Sequence, residues 1–256
     1  MSSSPRAALV TGAGRRIGRE IALDLARSGW AVGVHYHRSE EDAVAVRDEI
    51  RRDGGTAVAI GADLLSEDET GRLVGAAVEQ LGPLGCLVNN ASTFEPDTVE
   101  TATLATWDSH MSVNLRAPFV LSQAFARQLP EGATGSILNI LDERVWNLTP
   151  NYLTYTVSKA GLWALTRTLA LGLAPRIRVN GIGPGATLAS VHQTPEAFAE
   201  QAARTPLGRG TTPEEIAAAV RFLLSAPAVT GQMLALDGGQ HLGWAFPEPG
   251  SPAAGD

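Results

Sequence analysis

One cysteine in 256 residues excludes an intramolecular disulfide framework. That residue, Cys86, sits in the apolar run LGCLVNN and reads as a small buried hydrophobe. Nowhere does an apolar run approach the roughly 18 residues that span a bilayer. The start, MSSSPRAALVTG, has no long apolar segment before a cleavage site, so neither a signal peptide nor a membrane partner is expected. A basic stripe is also missing: the net charge is −7, which argues against a nucleic-acid partner. The one dense basic cluster, Arg15, Arg16 and Arg19, falls inside a glycine-rich loop and suits a small phosphate ligand. His35 and His37 have no third ligand cluster to join, so no metal is expected. What is there is a 44% hydrophobic composition, enough for a sizeable core, and the expectation is a cytoplasmic globular enzyme or binding protein.

Short strand-like runs alternate with helical patterns along the chain. Strands are expected at 7–12, 30–37, 56–64, 86–92, 136–141, 177–185 and 232–239. Helices are expected at 16–29, 41–55, 67–80, around 104–128, 152–173 and near 213–225. This alternation predicts an α/β fold, a doubly wound parallel Rossmann-type sheet with helices on both faces. It forms a single domain over residues 1–245. Residues 186–212 lack a strand and read as a substrate loop with a short helix at 195–204. The Pro/Gly-rich end, 246–256, reads as a flexible tail. Ligands of such sheets bind at the carboxyl ends of the strands, and the unusual residues of this chain all follow strands.

The first strand runs into TGAGRRIG, and a helix follows. Gly12 and Gly18 let backbone N–H groups approach a phosphate, and the helix N-terminus adds the positive end of its dipole. Arg15, Arg16 and Ile17 lie in the same loop. After the second strand, an Asp or Glu would accept from a ribose 2′-hydroxyl; this chain has His37, Arg38 and Ser39 instead. An arginine and a hydroxyl bind a 2′-phosphate that a carboxylate would repel, so NADPH is expected over NADH, with Arg15 reaching the same region. Asp63 and Leu64 are placed at the adenine edge, and Asn90, Ala91 and Ser92 near the centre of the cofactor. Pro184, Gly185 and Thr187, after the sixth strand, complete the cofactor set.

Tyr155 and Lys159 are four apart on an expected helix and so share a face. A neighbouring ammonium would stabilise the phenolate and bring the phenol, with its ordinary pKa of ~10, toward a usable proton donor. The pair makes a hydride-transfer enzyme the expected activity.

TGAGRRIG, NNAS, Asn114 in VNLRAPF, YTVSK at 155–159, VNGIGPG and LDGG together resemble the short-chain dehydrogenase/reductase family. The resemblance covers about residues 5–243. It implies a seven-stranded sheet, NAD(P)(H) and, usually, a tetramer. It also implies that Tyr155 is the acid, that Lys159 lowers its pKa and holds the ribose, and that Asn114 supports a water-linked proton relay. At two places the chain departs from the usual family pattern: Arg16 replaces a glycine, and Asp142, thirteen residues before Tyr155, replaces a serine. Both are similar to the pteridine reductase and dihydromonapterin reductase branch, as are HYHRS at 35–39 and NNASTF at 89–94.

The implied substrate is therefore a pterin or dihydropterin, with dihydrofolate as a further candidate. The resemblance places Phe94 on one face of the pterin and Arg16 and Ser92 between pterin and cofactor phosphates. A carboxyl group at Asp142, paired with the tyrosine, suits a ring nitrogen better than a ketone. Trp146 and Leu188 are candidates for the far wall. The alternatives are a carbonyl reductase of the same family and an NADPH-sensing protein without turnover.

Overall fold

The computed structural model describes residues 4–190 and 193–243; the tail at 246–256 lies outside them. Seven strands follow in chain order: β1 (Ala7–Val10), β2 (Ala31–Tyr36), β3 (Ala57–Gly61), β4 (Cys86–Asn89), β5 (Gly135–Ile140), β6 (Ile177–Pro184) and β7 (Met233–Leu236). All pair in parallel in the order β3-β2-β1-β4-β5-β6-β7. The strands read as continuous runs of Ala, Val, Leu and Ile because both faces of a parallel sheet are covered.

One face carries α1 (Arg16–Arg27), α2 (Glu40–Arg52) and α8 (Pro213–Ser225), whose Ile21, Leu25, Val46, Ile50 and Val220 pack with Val10, Val34 and Val88 of the strands. The other face carries α3 (Glu67–Leu81) and α5 (Ala117–Gln128), whose Leu73, Leu121 and Phe125 pack with Leu9, Leu87 and Ile137. Alternate strand side chains thus feed two separate cores. The helix starts follow their sequence signals: Ser66 accepts from the N–H of Glu69, and Thr212 with Glu215 forms a reciprocal cap ahead of Pro213.

The expected long helix at 104–128 is interrupted. α4 (Leu104–Met111) passes through a π turn at Ser112–Arg116 before α5 begins. The turn precedes Pro118, which has no N–H with which to close an α-helical bond to the carbonyl of Asn114. α6 (Leu153–Leu173) follows β5, and α7 (Pro195–Ala203) is the short helix expected within the substrate loop. No helix among the described residues is long and apolar enough to cross a membrane.

The chain moves outward from β1 to β3, then returns to place β4 on the other side of β1. At that reversal the loops after β1 and β4 part, and a crevice opens at the carboxyl ends of the strands.

Candidate active site

A cavity of about 580 Å³ fills this crevice. Gly12, Arg15, Arg16, Ile17 and Gly18 line it from the first loop, and His37, Arg38, Ser39, Asp63 and Leu64 from the ends of β2 and β3. Asn90, Ala91, Ser92 and Phe94 follow β4; Asp142 follows β5; Tyr155 and Lys159 come from α6; Pro184 ends β6, and Gly185, Thr187 and Leu188 follow it. Asn114 lies behind this wall, and Trp146 is exposed, packed edge-on against His241, away from the lining.

The glycine loop is held by three side chains. His35, 1% exposed, accepts from the N–H of Gly12 through Nδ1, so its Nε2–H donates to the carbonyl of Ala62. Burial pushes its pKa down to about 4, keeping the ring neutral. Asn90 donates from its amide to the carbonyls of Thr11 and Gly12, and Thr11 Oγ1 accepts from the N–H groups of Asn90 and Ala91. Gly18 is obligatory: a Cβ there would sit 2.3 Å from the carbonyl oxygen of Gly12. Gly12 itself has a φ of +62°, and Arg16, without glycine's freedom, holds +52°. The Arg16 guanidinium donates to the carbonyls of Leu188 and Ala189, tying the glycine loop to the segment after β6. Arg15 is engaged by Asp42 in the first turn of α2, and Arg38 is exposed. His37 stands 3.6 Å from Asp63.

At the other end, Tyr155 donates its phenolic O–H to Oδ2 of Asp142 at 2.8 Å. Oδ1 of Asp142 accepts from the N–H of Arg144 at 3.0 Å and so also caps a short 3₁₀ turn at Glu143–Val145. The Arg144 guanidinium lies 3.3 Å from the same carboxylate.

Lys159, the chain's single lysine, donates from Nζ to the carbonyl of Ile140 at 2.8 Å. It lies 5.6 Å from the centre of the Tyr155 ring. Burial lowers its pKa to about 8, opposed by Asp142. Lys159 is not among the groups that shift the Tyr155 phenol in this structure. The phenol is pushed well above 10, by burial first and by the Asp142 carboxylate second, with Arg144 opposing. Without a bound cofactor, Tyr155 is a firmly protonated donor.

Two further expectations are sharpened. The Asn114 side chain is fully used by protein: Oδ1 accepts from Thr93 N–H and the Ser92 hydroxyl, and Nδ2 donates to the Thr93 carbonyl and Ser158 Oγ. It holds the Ser92–Thr93 loop, and any relay through this residue falls to its carbonyl, which Pro118 deprives of an α-helical donor. Phe94 lines the cavity, but one of its faces is taken by Tyr152, stacked at 4.3 Å and 7°. Tyr155 meets Phe94 edge-on at 4.7 Å. The Arg144 guanidinium carbon, 5.7 Å from one stacked ring and 5.5 Å from the other, is nearly equidistant from both and lies beside the pair.

Arg144, Tyr152, Phe198 and Gln201 line the cavity without having been singled out from the sequence. Arg144 and Tyr152 are two and three residues from Asp142 and Tyr155, respectively, and that proximity was the available signal.

Residues 12–241 match the family model described as enoyl-(acyl carrier protein) reductase. Among solved structures, the chain is similar to FolM alternative dihydrofolate reductase 1 from Brucella suis in complex with NADP. The TM-score is 0.92 at 45% identity, covering 96% of this chain and 98% of that one. Among curated proteins it is 39% identical to an uncharacterized oxidoreductase of Methylorubrum extorquens, over 91% of this chain and 97% of that protein. It is 35% identical to a 3-oxoacyl-[acyl-carrier-protein] reductase of Synechocystis sp., over 91% and 95%. With this sheet order, glycine loop and Tyr155–Lys159 helix, the chain belongs to the short-chain dehydrogenase/reductase family of oxidoreductases.

Proposed function

We propose that the protein is an NADPH-dependent pteridine reductase acting on dihydropterins, with dihydrofolate as a second substrate. The observation that carries this reading is the Tyr155–Asp142 hydrogen bond beside the aromatic wall of Phe94. A proton donor paired with a carboxylate can serve a ring nitrogen and accept from neighbouring ring N–H groups, and the aromatic wall suits a flat heterocycle. The similarity to a dihydrofolate-reducing structure supports the same class.

The residues fit NADPH. The cradle has no room for a Cβ at Gly18 and turns through a left-handed φ at Gly12, and the lining after β2 offers His37, Arg38 and Ser39 to a 2′-phosphate. NADPH when bound supplies the hydride. Tyr155 holds the proton at its phenolic oxygen, kept there at neutral pH by burial and by Asp142. Asp142, paired with Arg144, orients that O–H. Lys159, held by Ile140, stands ready to bind a ribose hydroxyl and to offset charge on the phenol. Ser92 and Arg16 line the cavity where the pterin and the cofactor phosphates would lie, together with Leu188, Phe198 and Gln201. A homotetramer built through α4, α5 and α6 would cover the exposed Leu104, Trp107, Phe119 and Leu171.

The test is NADPH oxidation with dihydrobiopterin, dihydromonapterin, dihydrofolate, a 3-oxoacyl thioester and a small ketone. Higher kcat/KM on a dihydropterin, and on NADPH than NADH, is the expected result. The similarity to a 3-oxoacyl reductase favours one other reading, carbonyl reduction, and turnover confined to the thioester or ketone would establish it in place of the pterin.

A further inference from the structure

α6 starts without a cap of its own. Tyr152, the residue before it, has a left-handed φ of +54° and gives no side-chain hydrogen bond to the helix. Two N–H groups of the first turn, those of Leu153 and Thr154, are satisfied from another part of the chain. Asp97, 4% exposed, accepts from Leu153 N–H through its carbonyl and from Thr154 N–H through Oδ1 at 3.1 Å; the Thr154 hydroxyl donates to Oδ2. Asp97 closes the loop that carries Phe94, and Thr154 immediately precedes Tyr155.

A third residue joins them. His110, at the end of α4 and fully buried, accepts from Glu95 N–H through Nε2 at 3.2 Å. Its proton is therefore on Nδ1, which lies 2.7 Å from Thr154 Oγ1. The bonds have one direction, Glu95 to His110 to Thr154 to Asp97. A backbone N–H can only donate at one end, and a carboxylate can only accept at the other. The ring of His110 also packs edge-on against Tyr155 at 5.9 Å, as Phe94 does at 4.7 Å.

We propose that Asp97, Thr154 and His110 are positioning residues that lock the Phe94 loop to the first turn of α6, so that the substrate wall and the Tyr155 phenol are set as one unit. The role of Phe94 as substrate wall rests on the pterin reading; the placement of Tyr155 does not.

Three variants test it. Asp97→Asn keeps the shape but replaces the Oδ2 acceptor with an amide donor, so the Thr154 O–H loses its acceptor. Thr154→Val keeps the volume and cuts the chain. Thr154→Ser restores the hydroxyl. With a dihydropterin, Asp97→Asn and Thr154→Val should each raise KM tenfold or more and lower kcat tenfold. NADPH affinity, read by fluorescence, should stay within twofold, and Thr154→Ser should remain within twofold of the parent throughout. Hydrogen exchange at the Glu95 amide should accelerate at least tenfold in both disruptive variants, with the Gly12 amide unchanged. Parent-like kinetics and Glu95 exchange in both variants would overturn the proposal, as would an equal loss of NADPH affinity. If the parent enzyme turns over only carbonyls, the pterin reading fails by itself. The Glu95 amide and kcat for the carbonyl then decide the brace by the same thresholds.

Discussion

Tyr155 donates to Asp142 at 2.8 Å, while Lys159, on the same helix face, donates to Ile140 instead. The carboxylate thus holds the proton on the phenol more tightly. At neutral pH the phenol therefore carries its proton.

Removing the carboxylate should therefore separate acidity from activity. In Asp142→Ala the Tyr155 phenol should ionise at lower pH than in the parent, because the second cause of its upward shift is gone. Ultraviolet difference titration can follow this, since the chain has three tyrosines. Turnover of a dihydropterin should nonetheless fall on the order of 10²-fold, the scale of a lost acid–base partner. Tyr155→Phe should fall further. Full activity in Asp142→Ala would remove the carboxylate from the reaction.

Lys159 should titrate near 8 in the cofactor-free protein, against an ordinary 10.5. As the single lysine, it gives one side-chain signal after reductive ¹³C-methylation, separable from the terminal amine. The folded pKa lies below the unfolded one, so the buried cation costs stability in full below pH 8. The cost is relieved as pH rises from 8 to 10.5. With ~1.4 kcal/mol per pH unit, the parent should gain about 3 kcal/mol relative to Lys159→Met across that window, measured by urea unfolding. A constant difference between the two proteins would contradict the shift.

His35 acts in the opposite pH range. Its folded pKa, about 4, is below the ordinary 6.5, so its contribution is complete above 6.5 and is lost as pH falls toward 4. The loss should reach about 3 kcal/mol. His110, also held down by burial, adds to the same limb. His35→Asn should flatten part of this acid limb. It should also weaken NADPH binding several-fold, because Gly12 N–H loses its acceptor. Unfolding curves at pH 4.5 and 7 and a fluorescence titration with NADPH check both effects. An unaltered acid limb would show that His35 is not the group responsible.

Much of this was legible in sequence because it depends on local pattern. Aliphatic runs between amphipathic helices gave the parallel sheet, and Gly12 and Gly18 marked a turn that tolerates no Cβ. Chain-distant relationships were not legible. Asp97 caps a helix 57 residues away, and His110 reaches Thr154 across 44, so no periodicity connects them. The direction of the Tyr155 shift needed burial, which spacing does not report. The break at Ser112–Arg116 was visible in principle, since Pro118 cannot continue an α-helical ladder.

Arg16 combines strain with a tether, and its substitutions should separate the two. At φ +52° a non-glycine residue costs about 1 kcal/mol, and its guanidinium recovers this by forking to the carbonyls of Leu188 and Ala189. Arg16→Gly relieves the strain and frees the loop. Arg16→Lys keeps the strain, and a single ammonium cannot reproduce the fork. The order of thermal stability should therefore be Arg16→Gly equal to or above the parent, with Arg16→Lys lowest. Both variants should raise the KM for substrate five- to tenfold, because the segment over the cavity loses its anchor. Hydrogen exchange across 187–190 should accelerate in both. If Arg16→Lys were as stable as Arg16→Gly, the backbone at position 16 would not be strained; if KM did not move, the guanidinium would not be a tether.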